Sequence, residues 1–357
     1  MFIKNIKRRN STLELLRILS MIGVLGLHYM NRKIGGVLNT TVPVNIWTSH
    51  FIESICITSV NVFVLISGYF MIKQKTTGLR KAIELYLIML LYHLVFFAVG
   101  ITAGEVAFSW KELAVTMFPF AIGQKWFLET YILLLLFAPF INILIEHLNK
   151  KTHLLFISIW ILVFSVWASF LPSPPLTDGG YGITNFITLY LIAAYIKKYV
   201  SLPKNNKSVL LALLTWIISV LVITASSFTF LKGRAWDYCY IFNIIASTAV
   251  FYAFLNLPET YIPVINTVAG LTFGVYISHA NVHLQNIVYH KVMHTERFMD
   301  HPAMPLHFVI CVVLQFTFFA LIEYLRQIIW KPTVGKYLKN SNLLKAEQLW
   351  ELHLFDN

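Results

Sequence analysis

Ten runs of roughly 20 mostly apolar residues punctuate this chain, at about 11–30, 51–72, 82–103, 126–146, 153–171, 182–196, 208–231, 238–256, 263–285 and 305–329. At a helical rise of about 1.5 Å per residue, each is long enough to cross the hydrocarbon core of a bilayer. Inside a bilayer the peptide groups must find their partners within the segment, so such runs fold as helices. The expected fold class is an all-α integral membrane protein, a bundle of about ten transmembrane helices. Composition agrees, since 57% of the 357 residues are hydrophobic and only 12% charged, about half the charged share of a soluble protein. No gap between runs exceeds roughly 25 residues, too few for a separate soluble domain. The expected organisation is one transmembrane domain over 1–330 and a tail over 331–357. In that tail Leu343, Leu344, Leu349, Trp350 and Leu352 can line one side of a short surface helix.

Charge distribution sets the expected orientation. Segments on the N-terminal side of the membrane carry 18 Lys and Arg, those on the far side carry 8, and Arg17 and Arg326 fall inside runs. The bias places both termini in the cytoplasm. The net charge of +12 then reflects cytoplasmic loops, and no nucleic-acid partner is expected. Lys4, Lys7, Arg8 and Arg9 precede a run that holds Glu14 and Arg17, with no small-residue cleavage site after it, so a retained first helix is expected. Cys56, Cys239 and Cys311 all lie in apolar runs and offer neither a disulfide framework nor zinc-ligand spacing.

The first run holds three ionisable groups, which are costly in a membrane and usually face a bundle interior or a wet cavity. At about 100° per residue, the eleven positions from Arg17 to His28 return to within roughly 20° of the same face. Glu14, Arg17, Met21, Val24 and His28 therefore form one stripe, with Arg17 and His28 about 16 Å apart along the axis. Taken singly, Arg17 can snorkel and His28 can cap an interface. Three such groups on one stripe point to a polar site.

Other runs add polar candidates. Asn61 and Ser67 lie in the second run, within Asn61-Val-Phe-Val-Leu-Ile-Ser-Gly-Tyr-Phe70; Ser67 and Gly68 suit helix packing, and Asn61 is the costlier to bury. Trp126-Phe-Leu-Glu-Thr-Tyr131 opens the fourth run as an aromatic belt, but Glu129 one turn inside it exceeds that role. Pro139, near the end of the same run, is expected to kink it. Tyr276 and His279 lie in Gly274-Val-Tyr-Ile-Ser-His279. His279 with His283, and His290 with His294, have the i, i+4 spacing of metal ligands, but no cysteine accompanies them and no metal site is assigned. Glu323 and Arg326 read as an i, i+3 pair. The chain has no glycine-rich phosphate loop, Gly-x-Ser-x-Gly elbow or His-Glu-x-x-His. Any catalysis must be built from intramembrane polar groups.

Taken in order, these motifs resemble one family. Arg17 and His28 with ten residues between them, the Asn61–Phe70 segment, Trp126-Phe-Leu, Pro139-Phe-Ile-Asn142 and Gly274–His279 are similar to the landmarks of the membrane acyltransferase-3 family, over residues 8–330. The resemblance implies an O-acyltransferase, usually an O-acetyltransferase, that modifies sugars of bacterial envelope polysaccharides or their lipid-linked precursors. It implies an acyl-CoA donor, most simply acetyl-CoA, with no bound cofactor, and a multi-pass location in the bacterial plasma membrane. His28 would be catalytic, with Arg17 its partner in donor binding or charge stabilisation and Glu14 beside it. Asn61, Ser67, Trp126, Glu129, Tyr276 and His279 are the candidate substrate-binding residues. Some members carry an Arg-x-x-Arg pair in the first cytoplasmic loop; here Arg80 is flanked at three residues by Thr77 and Ile83, so the pair is absent. The competing class is a transporter or flippase for a glycan or small metabolite, which midplane polar groups and a Pro-interrupted helix also suit.

Overall fold

The computed structural model describes residues 9–122, 125–171 and 178–340. The expected tail helix at 342–354 and most of the Pro/Gly-rich segment at 172–181 lie outside the described residues. Those that are described contain helices and no strand. Seven helical stretches are long and apolar enough to cross a membrane.

α1 (Ser11–Met30) has the bounds its hydropathy suggests. Asn10 caps it, its Oδ1 accepting from Thr12 N at 3.0 Å. The second stretch is longer than the apolar run. Pro43 sits in the first turn of α2 (Pro43–Cys56), and α3 (Thr58–Met71) follows at once, giving 29 residues rather than the expected 51–72. The helix is longer than the run because Asn45 and Ser49 point inward and lower the hydropathy before 51 without interrupting the helix. At Gly23, α1 lies against α3 so closely that a Cβ would fall 2.0 Å from Ser59 Oγ.

α4 (Leu79–Thr102) is followed by the short α5 (Trp110–Met117) and by α6 (Trp126–His147). Pro139 lies inside α6 and leaves the carbonyl of Leu135, four residues earlier, without its helical donor. Gln74 Nε2 approaches that carbonyl at 3.4 Å. Asn142 binds α6 to its neighbours. It donates to the carbonyls of Met71 and Gln74 at 2.8 and 2.9 Å and accepts from Tyr190 Oη at 2.7 Å. α7 (Lys150–Ile161) passes through a π-helical stretch at 162–167 into α8 (Ala168–Phe170).

α9 (Ile183–Tyr199) is only 17 residues long but is enclosed by the bundle, with Phe186, Leu189, Tyr190 and Ala193 wholly buried. α10 (Asn206–Ser226) packs along α11 (Ile241–Asn256). The ninth run is not one helix. It divides into α12 (Pro263–Ala269) and α13 (Thr272–His279), then turns at Ala280–Asn281. α12 is held against its neighbours by Gln327 Nε2, which donates to Gly270 O at 2.9 Å. A π-helical stretch at 286–292 and α14 (Thr295–Phe298) lead to α15 (Met304–Trp330), followed by α16 (Val334–Asn340).

Candidate active site

The polar stripe of α1 faces a cavity. Arg17, Met21, Val24, Leu27 and His28 all line one space of about 1180 Å³, and its wall begins at Arg9 before the helix and reaches Lys33 beyond it. The cavity thus accompanies α1 over its whole length of about 30 Å. It exceeds the roughly 300–1,000 Å³ of an ordinary small-molecule pocket, which leaves room for two substrates end to end.

The two ends differ in chemistry. Around Arg17 stand Lys81, Arg326 and Lys331. Arg17 Nη1 is paired with Glu14 Oε2, one turn before it; Glu14 does not line the cavity and acts on it only through Arg17. Glu323 is 1% exposed and fully engaged. It accepts from Arg326 Nε and Nη2, from Tyr92 Oη and from Gln327 Nε2, each at 2.7 Å. This grip orients the Arg326 guanidinium, and Arg326 Nη1 is left buried with no hydrogen-bond partner among the described residues. The sequence pattern showed Glu323 and Arg326 only as a helix-surface pair. Their place on the cavity wall follows from Gly274 on α13, where a Cβ would fall 2.4 Å from Glu323 Oε2.

Between the ends the wall is mainly apolar, with Met21, Val24, Val60, Phe63 and Ile88 facing inward. Ser67 lines this part, but its hydroxyl donates to Phe63 O at 2.9 Å within its own helix.

At the other end His28 meets His279, their rings edge to face with centroids 4.6 Å apart. His279 is 1% exposed, and its Nδ1 lies 3.1 Å from Val275 O. A carbonyl only accepts, so Nδ1 carries the hydrogen and Nε2 the lone pair. Neither His279 Nε2 nor His28 Nδ1 has a partner among the described residues. The pair therefore holds unused proton-accepting capacity inside the bundle. Lys125, also buried, donates from Nζ to the carbonyl of Ala280, next to His279.

Trp126 and Tyr276 line the cavity, together with Glu53, Tyr181, Trp236, Asp237 and Tyr238. Three more expected site residues, His279, Glu129 and Asn61, are, like Glu14, not part of the lining. Glu129 Oε1 accepts from Lys125 N at 3.1 Å and caps the start of α6. Asn61 is wholly buried; its Nδ2 donates to Tyr238 O at 2.8 Å and its Oδ1 accepts from Asn185 Nδ2 at 3.2 Å. It holds the cavity wall from behind. Glu53 and Asp237 escaped the sequence reading because neither belongs to a motif. The only signal was a carboxylate, just inside an apolar run at Glu53 and just before one at Asp237.

No group of three or more His, Cys, Asp or Glu side chains among the described residues is placed to hold a metal ion. Neither a curated protein nor a solved structure matches the chain significantly. A family model described as an acyltransferase domain matches residues 10–325, which include Arg17 and His28 at the two ends of the cavity. The match favours enzyme over transporter. With its membrane-length helices and the Arg17–His28 landmarks on one wall, the chain belongs to the acyltransferase-3 family and is a membrane acyltransferase.

Proposed function

We propose that this protein is an O-acetyltransferase of the bacterial plasma membrane. In this reading it moves the acetyl group of acetyl-CoA to a sugar hydroxyl of a cell-surface polysaccharide or its lipid-linked precursor. The observation that carries the proposal is the single cavity that holds Arg17 at one end and His28 at the other. The Lys and Arg bias supports a cytoplasmic Arg17 end and cytoplasmic termini. For ten crossings, the seven long helices would be joined by α9, α11 and the α12–α13 pair.

The chemistry divides between the ends. Arg17, Lys81, Arg326 and Lys331 form a basic entrance suited to the phosphates of coenzyme A, and the planar guanidiniums of Arg17 and Arg326 can grip two oxygens at once. Arg326 provides such a fork in a chain that lacks the Arg-x-x-Arg pair. The thioester then extends along the apolar middle towards His28. A sugar hydroxyl is a weak nucleophile near neutral pH and needs a base in contact. His28 accepts its proton as the hydroxyl oxygen bonds to the thioester carbonyl carbon. The carbon–sulfur bond breaks, and the thiolate leaves with a proton as free CoA. In the other route His28 first takes the acetyl group itself and hands it to the hydroxyl. Trp126 and Tyr276 support the acceptor end from the cavity wall and Asn61, Glu129 and His279 from behind it, while Ser67 lines the apolar middle.

The test is acetyl transfer by the full chain reconstituted in lipid nanodiscs, followed as release of the CoA thiol. The His28→Gln variant keeps size and hydrogen bonding but cannot act as a base. Its turnover is expected to fall on the order of 10²–10⁴-fold while CoA still raises its melting temperature. Near-normal turnover would remove His28 from the chemistry. An acetyl adduct on His28, found by intact mass after acid quench, would select the two-step route.

A further inference from the structure

At the His28 end of the cavity three aromatic rings form one cluster. Trp126 lies 4.6 Å from Tyr181 and 5.2 Å from Tyr238, and the two tyrosines are 5.0 Å apart, centroid to centroid. All three line the cavity. The cluster is fixed from behind, since Asn61 holds the carbonyl of Tyr238 and Asn185 Nδ2 reaches both Asn61 and the carbonyl of Gly180. Tyr238 N donates to Gly179 O at 2.8 Å, tying the two tyrosine-bearing loops together.

Two carboxyl groups share this end. Glu53 on α2 is 8% exposed and lines the cavity, yet its Oε2 is buried with no partner among the described residues, and it makes no ion pair there. A buried carboxyl oxygen without a donor is costly. Because Glu53 also lines the cavity, a donor entering that space comes within reach of its carboxyl group. Asp237 lines the same end. The nearby Arg234 is engaged elsewhere, donating to the carbonyls of Ala168 and Leu171.

We infer that Glu53, with Asp237 and the Trp126–Tyr181–Tyr238 cluster, forms the acceptor subsite, and that it selects an uncharged, hydroxyl-rich sugar ring. The inference rests on the acetyl-transfer reading and adds to it the charge class of the acceptor. Aromatic faces cover the apolar C–H face of a sugar ring, and carboxylates accept from its hydroxyls. An anionic sugar would have to shed its hydration beside two buried carboxyl groups that offer it no ion pair. A cationic one would have to pass Arg32, Lys33 and Lys232 at the mouth.

The experiment uses the reconstituted full chain, acetyl-CoA and three acceptor probes: p-nitrophenyl glucoside, glucuronide and glucosaminide. The wild type is expected to acetylate the glucoside in preference to both charged probes. Glu53→Gln keeps the shape but offers one accepting oxygen in place of two. It is expected to raise the glucoside KM on the order of threefold to tenfold, the worth of one ordinary hydrogen bond, and to narrow the preference over glucuronide. CoA-dependent stabilisation, measured by thermal melting, shows that the variant is folded and keeps its donor end. Should Glu53→Gln lose that stabilisation, Asp237→Asn on the mouth loop carries the same measurement. Active wild type with an unchanged glucoside KM in both variants, or with a charged probe preferred, overturns the inference and leaves acetyl transfer standing. A wild type that acetylates none of the three probes overturns the assignment of a sugar to this cavity, and the acetyl-transfer reading with it.

Discussion

Gly274→Ala tests whether α13 and α15 touch as closely as described. In an ordinary helix the change stabilises by at most about 1 kcal/mol, because glycine has more backbone freedom to lose. Here the new methyl carbon would stand 2.4 Å from Glu323 Oε2, 2.5 Å from its Cβ and 2.6 Å from its Cδ. Ordinary carbon contacts begin near about 3.5 Å, so Glu323 must move by roughly an ångström. Its Cβ is anchored to α15 and cannot swing away. Overpacking of this kind costs about 1–3 kcal/mol, and each charge-assisted bond that Glu323 loses adds about 1.5–3 kcal/mol. The steric effect outweighs the propensity gain, and a net destabilisation on the order of 2 kcal/mol is expected. In a chain of this size about 2 °C per kcal/mol follows, a fall in melting temperature of roughly 4 °C. Because Glu323 orients Arg326, the KM for acetyl-CoA should also rise several-fold. Nanodisc-embedded protein would be followed by tryptophan fluorescence on heating and by CoA release. An alanine variant that melts at or above the wild-type temperature would refute the close contact and the positioning argument built on it.

Other substitutions separate the roles of the two ends. Arg17→Lys keeps the charge but loses the planar fork, so it should raise the donor KM more than Lys81→Ala does; equal effects in a steady-state titration of acetyl-CoA would show that charge alone matters. Asn61→Ala removes the donor to Tyr238 O and the acceptor for Asn185, and should lower stability by about 1–3 kcal/mol; a wild-type melting curve would contradict its structural role. Burial, partly offset by Arg234, raises the Asp237 carboxyl to about 6. A group shifted upward is protonated as pH falls through that value, so its capacity to accept from an acceptor hydroxyl is present above about pH 6 and lost below it. The acceptor KM should therefore climb between about pH 7 and pH 5, and the climb should be absent in Asp237→Asn.

The part of the site carried by one helix was legible in the sequence. Helical geometry alone put Arg17, Met21, Val24 and His28 on one face, and those four side chains line the cavity. Periodicity has no access to what comes from other segments. Glu53 lies just inside the second apolar run but belongs to no motif, and Asp237 sits in a loop between helices. Asn61 drew attention because burying an amide is costly, and that cost is met by Tyr238 and Asn185, so it supports the site from outside. The ninth run was continuous in hydropathy but not in structure. Apolar composition reports where a chain prefers lipid or protein to water, whereas the break at Gly270–Leu271 depends on how α12 and α13 separately meet α1 and α15.

The apolar middle of the cavity bears on the electrical insulation of the membrane. A water-filled passage as long as α1, with cations at one end and imidazoles at the other, would leak ions down a membrane potential worth about 2.3 kcal/mol per charge at 100 mV. Met21, Val24, Val60, Phe63 and Ile88 line its middle with side chains that offer an ion no replacement for its hydration shell. A short acyl group, uncharged and poorly hydrated, is the kind of fragment that such a barrier admits. The same five side chains that hold the potential would then set the longest chain that can reach His28.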